Sequence, residues 1–314
     1  MGEQASEHLI EPGNREALLL LGTGAVSLAL AKHLVQSGSF PGGIRVWGRS
    51  KDSLRIFQSL GVETFLDLTE GVIGVGTAVL CVSDSALEEV AYGLGEALKA
   101  ESDSSDGCSR GPVVVLHTSG FRGVDALDAL HSTGAELGGM HPMAALAGSA
   151  MVEPGGGAPF IGVTFGVSGS PVARQRAREI AELLGGQIVL VRDDLRELYH
   201  GAAALLSGGL VALFSEAEAC LAESLDKESA GQSPSSQDEA RRILRSLLAS
   251  TTSNLLELPP DQALTGPVSR GDSAVVDGHA RAFAGLPSPR TKNLYELLTT
   301  IMRELTAKRD RRDP

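Results

Sequence analysis

The feature that most constrains the fold is a glycine-containing turn close to the start of the chain. The apolar run 17–21 enters Gly22-Thr23-Gly24, called the glycine turn below, and a helical pattern over 25–35 follows at once. Two glycines between a buried strand and a helix allow a tight turn and let backbone N–H groups approach a diphosphate at the positive end of the helix. This order predicts a dinucleotide site formed by Gly22, Thr23, Gly24, Ala25 and Val26.

Short apolar runs alternate with helical patterns up to about residue 192. The runs that predict strands occupy residues 17–21, 44–47, 62–65, 78–82, 113–117, 135–137, 160–167 and 188–191. The patterns that predict helices occupy residues 25–35, 52–60, 86–98, 124–130 and 171–184. Continuous apolar runs suit strands that helices cover on both faces. The alternation predicts an α/β fold with a doubly wound, Rossmann-type parallel sheet.

The rest of the chain is almost wholly helical and predicts an all-α second domain. Its main helical patterns occupy residues 195–225, 239–256 and 292–306. The first is long and rich in Ala, Leu and Gly, and small residues let another helix approach closely. The sequence therefore favours a homodimer formed through the helical domain, with an intramolecular bundle as the alternative.

The expected domain limits follow from these patterns. They are a flexible N-terminus at 1–15, a Rossmann dinucleotide-binding domain at 16–192, a helical substrate and dimerisation domain at 193–308, and a basic tail at 309–314. Two polar segments, 100–111 and 228–238, are interpreted as a mobile loop and a disordered insert. The basic run 308–312 is interpreted as solvated.

An excess of acidic residues argues against some functions. The 314 residues include 39 Asp and Glu against 27 Lys and Arg, which gives a net charge of −12. Such a surface repels a phosphate backbone, so no nucleic-acid partner is expected. Three widely spaced cysteines support neither a disulfide framework nor a metal site. The acidic N-terminus, and apolar stretches shorter than about 20 residues, predict no signal peptide and no membrane span, hence a cytoplasmic protein.

The end of the second predicted strand bears on the choice of cofactor. An NAD site usually has an acidic residue there, whereas this chain has Arg49 and Ser50. A guanidinium and a hydroxyl suit a 2′-phosphate, so the sequence favours NADP(H), with NADPH as the reduced form. In the alternative, Arg49 is only an exposed charge and Ser50 caps the next helix. Val82 and Ser83, near the end of the fourth predicted strand, are expected to bind the cofactor, unless Ser83 only caps a helix.

Polar side chains near other strand ends are candidates for chemistry. His117 and Ser119 lie at the end of one strand, His141 follows another, and His200 lies early in the long helix. An imidazole can donate to a carbonyl or hydroxyl oxygen while hydride moves to or from its carbon, so the three histidines are predicted catalytic residues. A resemblance described below adds Ser119 to them. The alternative for either strand-end histidine is a buried imidazole that holds two loops together.

A turn-rich segment between later helices contains the last candidates, which are predicted to bind substrate. Arg270 suits a substrate carboxylate because a guanidinium can donate two hydrogen bonds to it, and Asp272 lies two residues further on. In the alternative, the two side chains pair with each other and fix the loop. The sequence contains none of the GxSxG, HExxH or GxxxxGK[ST] motifs of hydrolases, metalloproteases and nucleotide-binding phosphate loops.

Taken together, these motifs resemble a bacterial family of Rossmann-like NADP oxidoreductases with a C-terminal helical domain of unknown function. The resemblance rests on the glycine turn and on residues 48–50, 117–120, 141–142, 199–203 and 264–272. It implies a helical domain similar to those of 6-phosphogluconate dehydrogenase and pyrroline-5-carboxylate reductase, paired into a dimer. The implied activity is hydride transfer to or from a small, carboxylated carbonyl or imine substrate.

A more distant similarity, to prephenate dehydrogenases, concerns Ser119 and His141-Pro142-Met143. In those enzymes a serine and a histidine of this kind contact the substrate hydroxyl, and an arginine of the second domain binds a carboxylate. The similarity implies that His141 polarises the reacting oxygen, Ser119 assists it and Arg270 anchors the acid. A non-catalytic NADP(H)-binding sensor is the alternative, because these motifs contain no unmistakable acid–base pair and no lysine.

Overall fold

The continuous apolar runs form the strands of one sheet. The structure, a computed structural model, describes residues 17–38, 40, 42–104, 111–146, 159–225 and 235–312. The strands are β1 (Ala17–Leu21), β2 (Ile44–Trp47), β3 (Glu63–Phe65), β4 (Val75–Leu80), β5 (Val114–His117), β6 (Glu136–Pro142), β7 (Thr164–Gly169) and β8 (Gln187–Leu190). They lie in the order β3-β2-β1-β4-β5-β6-β7-β8.

The direction of the strands defines where a ligand of this sheet would bind. Neighbouring strands are parallel from β3 through β6, β7 runs antiparallel to β6, and β8 is parallel to β7. The strand order reverses between β1 and β4, and open sheets bind ligands outside the carboxyl ends of their strands at such a switch point. The glycine turn follows β1 and therefore lies at this position.

Both faces of the central strands are buried, as their unbroken apolar runs require, whereas the edge strand β8 is largely exposed. Along β1, Leu18 and Leu20 belong to one cluster of buried residues, whereas Leu19 and Leu21 belong to a second cluster. Successive side chains of a strand point to opposite faces, so the two clusters are the two sides of the core. The predicted fold class, a doubly wound α/β sheet followed by a helical region, is confirmed.

The helices that alternate with the strands are α1 (Ala25–Ser37), α2 (Lys51–Ser59), α3 (Leu68–Gly71), α4 (Leu87–Ser104) and α5 (Pro171–Leu183). The segment predicted as an α-helix over 124–130 is instead a 3-10 helix, Val124–Thr133. Its buried residues Leu127 and Leu130 are three positions apart, and this spacing places side chains on one face of a 3-10 helix. The prediction of a mobile loop from residue 100 is also wrong for its first residues, because α4 continues to Ser104. Residues 105–110 of this segment lie outside the described part of the chain.

Strand β6 is longer than its apolar run 135–137 suggested, and His141 lies within it rather than after it. Gly138 and Gly139 disfavour a strand by propensity, which hid this extension from the sequence pattern. The structure uses their missing side chains: a Cβ on Gly138 would lie 2.7 Å from the carbonyl oxygen of Ser168 on β7. Glycine inside a strand here marks a close approach of neighbouring groups.

The remaining helices are α6 (Arg196–Ser224), α7 (Ser236–Glu257), α8 (Pro260–Ala263), α9 (Pro267–Arg270), α10 (Ser273–Ala284) and α11 (Arg290–Asp310). The three long helices predicted for this region are present. Most of the polar insert expected over 228–238 lies outside the described residues, but its last three residues begin α7. Ser235 caps that helix by accepting a hydrogen bond from the N–H of Asp238.

The chain divides into two compact units, residues 1–207 and 208–314. The sequence placed the domain boundary at 192/193, before α6, whereas the units divide within that helix. The first turns of α6 belong with the sheet because their side chains contact strand ends, as described below. The expected N-terminal segment 1–15 lies outside the described residues.

The basic run near the C-terminus is not a solvated tail within the described residues. Arg309 donates hydrogen bonds to the side-chain and backbone oxygens of Ser269, at 2.7 and 3.1 Å. Arg312 donates to Asp261, whose side chain is 2% exposed, over 3.0 Å. The run therefore joins the end of α11 to α8 and α9, because a buried carboxylate needs a paired cation.

Candidate active site

Gly22 of the glycine turn and Gly48 after β2 lie too close to neighbouring atoms to accept side chains. Gly22 has a φ of 111°, and a Cβ there would lie 2.6 Å from the carbonyl oxygen of Cys81. A Cβ on Gly48, after β2, would lie 2.7 Å from the Cγ2 atom of Thr23. Both glycines are thus required by contacts that the rest of the fold imposes.

The N-terminus of α1 has free N–H groups. Gly24 is its N-cap residue, no side chain caps it, and its first turn holds no acidic residue. By contrast, Ser50, Ser170 and Ser235 cap α2, α5 and α7. An uncapped helix N-terminus presents N–H donors and a positive dipole end, which fit a diphosphate. Ser27, in the first turn of α1, is fully buried.

Arg49 and Ser50 lie where the sequence placed them, at the start of α2. The hydroxyl of Ser50 accepts a hydrogen bond from the N–H of Ser53 over 3.3 Å, so the helix-capping alternative applies to this residue. Arg49 is exposed and makes no hydrogen bond or ion pair with another described residue. Its guanidinium is therefore available to an anionic ligand.

Val82 and Ser83 follow β4 rather than ending it. A Cβ on Gly22 would lie 2.9 Å from the Cγ1 atom of Val82, so this side chain packs beneath the glycine turn. Ser83 is exposed, and its hydroxyl bonds the hydroxyl of Ser85 over 3.2 Å. It does not cap the following 3-10 turn through its side chain, contrary to the capping alternative.

Three side chains from β6 and α6 meet at one place, and we call His141, Tyr199 and His200 the histidine cluster. Nδ1 of His141 and the hydroxyl of Tyr199 form a hydrogen bond of 3.0 Å. The rings of His141 and His200 are perpendicular, with centroids 5.8 Å apart. A Cβ on Gly120 would lie 2.8 Å from both Nε2 of His141 and Cδ2 of His200, so this glycine admits the two rings. The structure thus brings together His141 and His200, which the sequence had placed 59 positions apart.

Two members of the cluster, His141 and Tyr199, are uncharged at neutral pH. Burial, then His200 and Arg196, lower the pKa of His141 to about 4, while Asp84 acts in the opposite direction. Burial raises the pKa of Tyr199. His141 is therefore a neutral imidazole and Tyr199 a neutral phenol near pH 7.

Ser119 and His117 have less direct access to a ligand. The hydroxyl oxygen of Ser119 accepts hydrogen bonds from the N–H groups of Phe121 and Arg122, at 3.2 and 2.8 Å, which leaves only its hydrogen to donate. His117 is 0% exposed, and burial followed by the charge of Arg196 lowers its pKa to about 4. Neither ring nitrogen of His117 has a hydrogen-bond partner among the described residues, so the side chain does not hold two loops together by hydrogen bonds. A catalytic role of His117 stays a prediction.

Sequence reasoning missed Arg196, the most connected side chain at this edge of the sheet. Its guanidinium is 1% exposed and donates to Asp193 over 2.9 Å, to the backbone oxygen of Ser119 over 3.0 Å and to the hydroxyl of Ser168 over 2.7 Å. It joins the start of α6 to the loop after β5 and to β7. Arginine at the start of an exposed-looking helix gave no signal, although the neighbouring glycines, such as Gly139, could have indicated that a large side chain enters the sheet.

Arg270 and Asp272 lie in the second unit. They form an ion pair of 3.1 Å between side chains that are 65% and 43% exposed. This is the pairing that the sequence offered as an alternative. Binding of a substrate carboxylate by Arg270 stays a prediction. Among the described residues, no group of three or more His, Cys, Asp or Glu side chains is placed to hold a metal ion.

The fold and this arrangement define the class: a Rossmann-like protein with a C-terminal helical domain. Residues 163–301 match a domain of unknown function, DUF2520, so the family resemblance is confirmed on this domain and on the fold. No curated protein matches the sequence.

Several solved structures are similar to the chain over nearly its whole length. A "putative NADP oxidoreductase" of Bacteroides fragilis has a TM-score of 0.67 and 22% identity, covering 93% of this chain and 100% of its own. A pyrroline-5-carboxylate reductase of Coxiella burnetii gives 0.56 and 18%, covering 94% and 98%. A reductive aminase of Aspergillus terreus, solved with NADPH and ethyl-5-oxohexanoate, gives 0.57 and 18%, covering 92% and 94%. At these identities the similarity establishes the fold.

The buried contacts of Arg196 predict a large loss of stability on its removal. Replacing Arg196 by Leu leaves the hydroxyl of Ser168 and the backbone oxygen of Ser119 without their donor, and we expect the free energy of unfolding to fall by about 3–5 kcal/mol. Urea denaturation followed by fluorescence measures this, because Trp47, the single tryptophan, lies in β2.

Arg192 is the matched control. It pairs with Asp194, but the two side chains are 71% and 63% exposed. The change Arg192→Leu should alter the free energy of unfolding by less than about 1 kcal/mol. Equal effects of the two substitutions would contradict the structural role given to Arg196.

Proposed function

We propose that this chain is an NADP(H)-dependent oxidoreductase that transfers hydride to or from a small, carboxylated carbonyl or imine compound. The observation that carries the proposal is the uncapped N-terminus of α1 at the switch point, on the sheet edge where the histidine cluster also lies. An anion site for a cofactor and neutral groups able to hydrogen-bond an oxygen or nitrogen atom thus occur at the ligand-binding edge of one sheet.

The residues present fit a pyridine dinucleotide. Gly22 and Gly48 keep side chains out of the glycine turn, so the backbone can approach a diphosphate. Arg49 offers a free guanidinium to a 2′-phosphate, and the hydroxyl of Ser50 lies next to it in the sequence. When bound, such a cofactor supplies the hydride. The similarity to a reductive aminase solved with NADPH supports NADP(H) as the cofactor.

The histidine cluster is proposed to hold the reacting group of the substrate. His141, as a neutral imidazole, can hydrogen-bond the oxygen or nitrogen atom next to the carbon that changes oxidation state. The hydroxyl hydrogen of Ser119 and the ring of His200 are the further polar groups there. Gly120 has no side chain that would clash with the rings of His141 and His200.

The choice of cofactor can be tested at Arg49. The change Arg49→Asp places a carboxylate where a 2′-phosphate would lie, so we expect NADPH to bind at least about tenfold more weakly, with a much smaller change for NADH. Fluorescence titration measures both affinities. Arg55→Asp is the control, because Arg55 is also exposed on α2 but is paired with Asp52. Equal losses for the two nucleotides would refute the assignment.

Turnover separates an enzyme from a sensor. The sensor alternative is favoured by the low pKa of His141, because this residue is then not an imidazolium acid near pH 7. We expect the wild-type protein to oxidise NADPH with some member of a panel of 2-oxo acids, ketones and cyclic imines, and His141→Ala to lower this rate by about 100-fold or more. Tight NADPH binding with no turnover on the panel would support the sensor.

We further propose that α6 pairs with a second copy of the chain. Leu198, Leu205, Leu206 and Val211 are each at least 70% exposed in the single chain. Large apolar side chains exposed at several positions of one helix are typical of an interaction surface.

A lipid bilayer is the other environment that such a helix suits. The helix Asp193–Ser224 is long and apolar enough to cross a membrane by length and composition, since an 18-residue window within it has a mean hydropathy of 1.5. However, Glu216 and Glu218 of this helix form ion pairs with Arg290 and Arg241 of the helical unit. Charged pairs with neighbouring helices favour a protein environment for this part of α6.

The proposed dimer can be tested by placing one charged side chain on the exposed apolar surface of α6. Leu206→Glu should convert the protein to a monomer, because a carboxylate would be buried without a partner. Tyr92→Glu, on the exposed face of α4 where Tyr92 is 64% exposed, is the control and should leave the mass unchanged. Sedimentation velocity measures the mass. A wild-type monomer would exclude the dimer.

A further inference from the structure

Tyr199 meets His141 through a gap in the neighbouring strand. In the sheet register, His141 of β6 lies opposite Gly166 of β7. A Cβ on Gly166 would overlap the hydroxyl of Tyr199, so only glycine at this position lets the phenol reach Nδ1 of His141. Arg196, one turn earlier in α6, fixes the helix to β7 through Ser168. The position of the phenol is therefore set by the fold and not by a mobile side chain.

We propose that Tyr199 is a positioning residue whose hydroxyl donates to Nδ1 of His141 and so keeps the imidazole proton on Nε2. Its value for catalysis rests on the proposed function, whereas the hydrogen bond itself does not. Nε2 is the nitrogen that lies against Gly120 and faces the part of the cluster formed with His200.

The direction of the hydrogen bond follows from what each group can do. Among the described residues, Nδ1 of His141 is the partner of the Tyr199 hydroxyl. If Nδ1 carried the proton and donated to the phenol oxygen, the phenol hydrogen would need another acceptor in a half-buried place. Donation from the phenol satisfies both groups, and an unsatisfied polar hydrogen is costly.

The electrostatic surroundings keep the pair neutral. The charged and titratable groups that act on His141 are His200 and Arg196 from α6, which disfavour an imidazolium, and Asp84 after β4, which favours it. Burial adds to the first two, and the pKa of His141 falls to about 4. A neutral imidazole with its proton on Nε2 is a hydrogen-bond donor that does not give up its proton to the substrate near pH 7.

The tautomer can be measured without any ligand. Chemical shifts of 15N-labelled histidine side chains at pH 7 distinguish a proton on Nδ1 from a proton on Nε2, and the change His141→Gln identifies the His141 signals by their loss. We expect the Nε2–H form in the wild-type protein and a mixture of tautomers in Tyr199→Phe. Gly166→Ala, which displaces the phenol but retains it, should give the same mixture if the variant folds.

The chain offers matched controls for both substitutions. Tyr295 makes a similar hydrogen bond of 2.9 Å to Nδ1 of His279, within the helical unit, so Tyr295→Phe should leave His141 unchanged. Gly201→Ala, at a position of α6 with no atom within 4 Å of the added Cβ, should also leave it unchanged. A wild-type proton on Nδ1, an unchanged tautomer in Tyr199→Phe, or a change of His141 in either control overturns the proposal.

A kinetic measurement separates positioning from a general loss of structure. Tyr199→Phe should lower NADPH-dependent turnover at least about tenfold, the effect of one well-placed hydrogen bond, while the dissociation constant of NADPH changes less than about twofold. Loss of NADPH binding together with turnover would mean that Tyr199 only supports the fold, and would overturn the proposal. If the wild-type protein binds no NADPH, the proposed function fails, and the tautomer measurement alone decides on Tyr199.

Discussion

The buried guanidinium of Arg196 is the interaction on which the candidate site depends. One planar group holds the loop after β5, the last residues of β7 and the carboxylate of Asp193 at once. Its rigid fork can satisfy several acceptors in fixed directions, which a lysine cannot do. Because Tyr199 and His200 follow within the next turn of α6, their positions at the strand ends are consequences of this anchor.

The glycines around the site act by leaving space. Gly120 admits the rings of His141 and His200, Gly139 lies against Arg196 and His117, and Gly166 admits the phenol of Tyr199. Each of these positions would clash with a neighbouring side chain if it carried a Cβ. The bulky polar groups of α6 can therefore pack directly onto the strands, and the distances within the site are short enough for hydrogen bonds.

The candidate site combines groups that attract an anion with a side chain that is uncharged, and this combination fits the proposed chemistry. Free N–H groups at the start of α1 and Arg49, which has no partner within the described part of the chain, favour an anionic cofactor. The imidazole of His141 is neutral, because burial, His200 and the charge of Arg196 together lower its pKa. The phosphate groups of the cofactor would thus bind at one end of this sheet edge. At the other end, uncharged side chains can donate hydrogen bonds to an oxygen or nitrogen atom of the substrate.

The amino-acid sequence determined the sheet, the glycine turn and the helical second region, because apolar periodicity and a strand–turn–helix order are local signals. It also indicated His141 and His200 as polar residues near strand and helix ends. Only the tertiary structure revealed Arg196, the pairing of Tyr199 with His141 and the burial of His117. These three features depend on which strands and helices become neighbours in the fold. β6 and α6 meet next to glycines, and the sequence does not show that large side chains approach those glycines. The basic residues after 308 differ from their expected role for the same reason, since Asp261 is distant in sequence and adjacent in space.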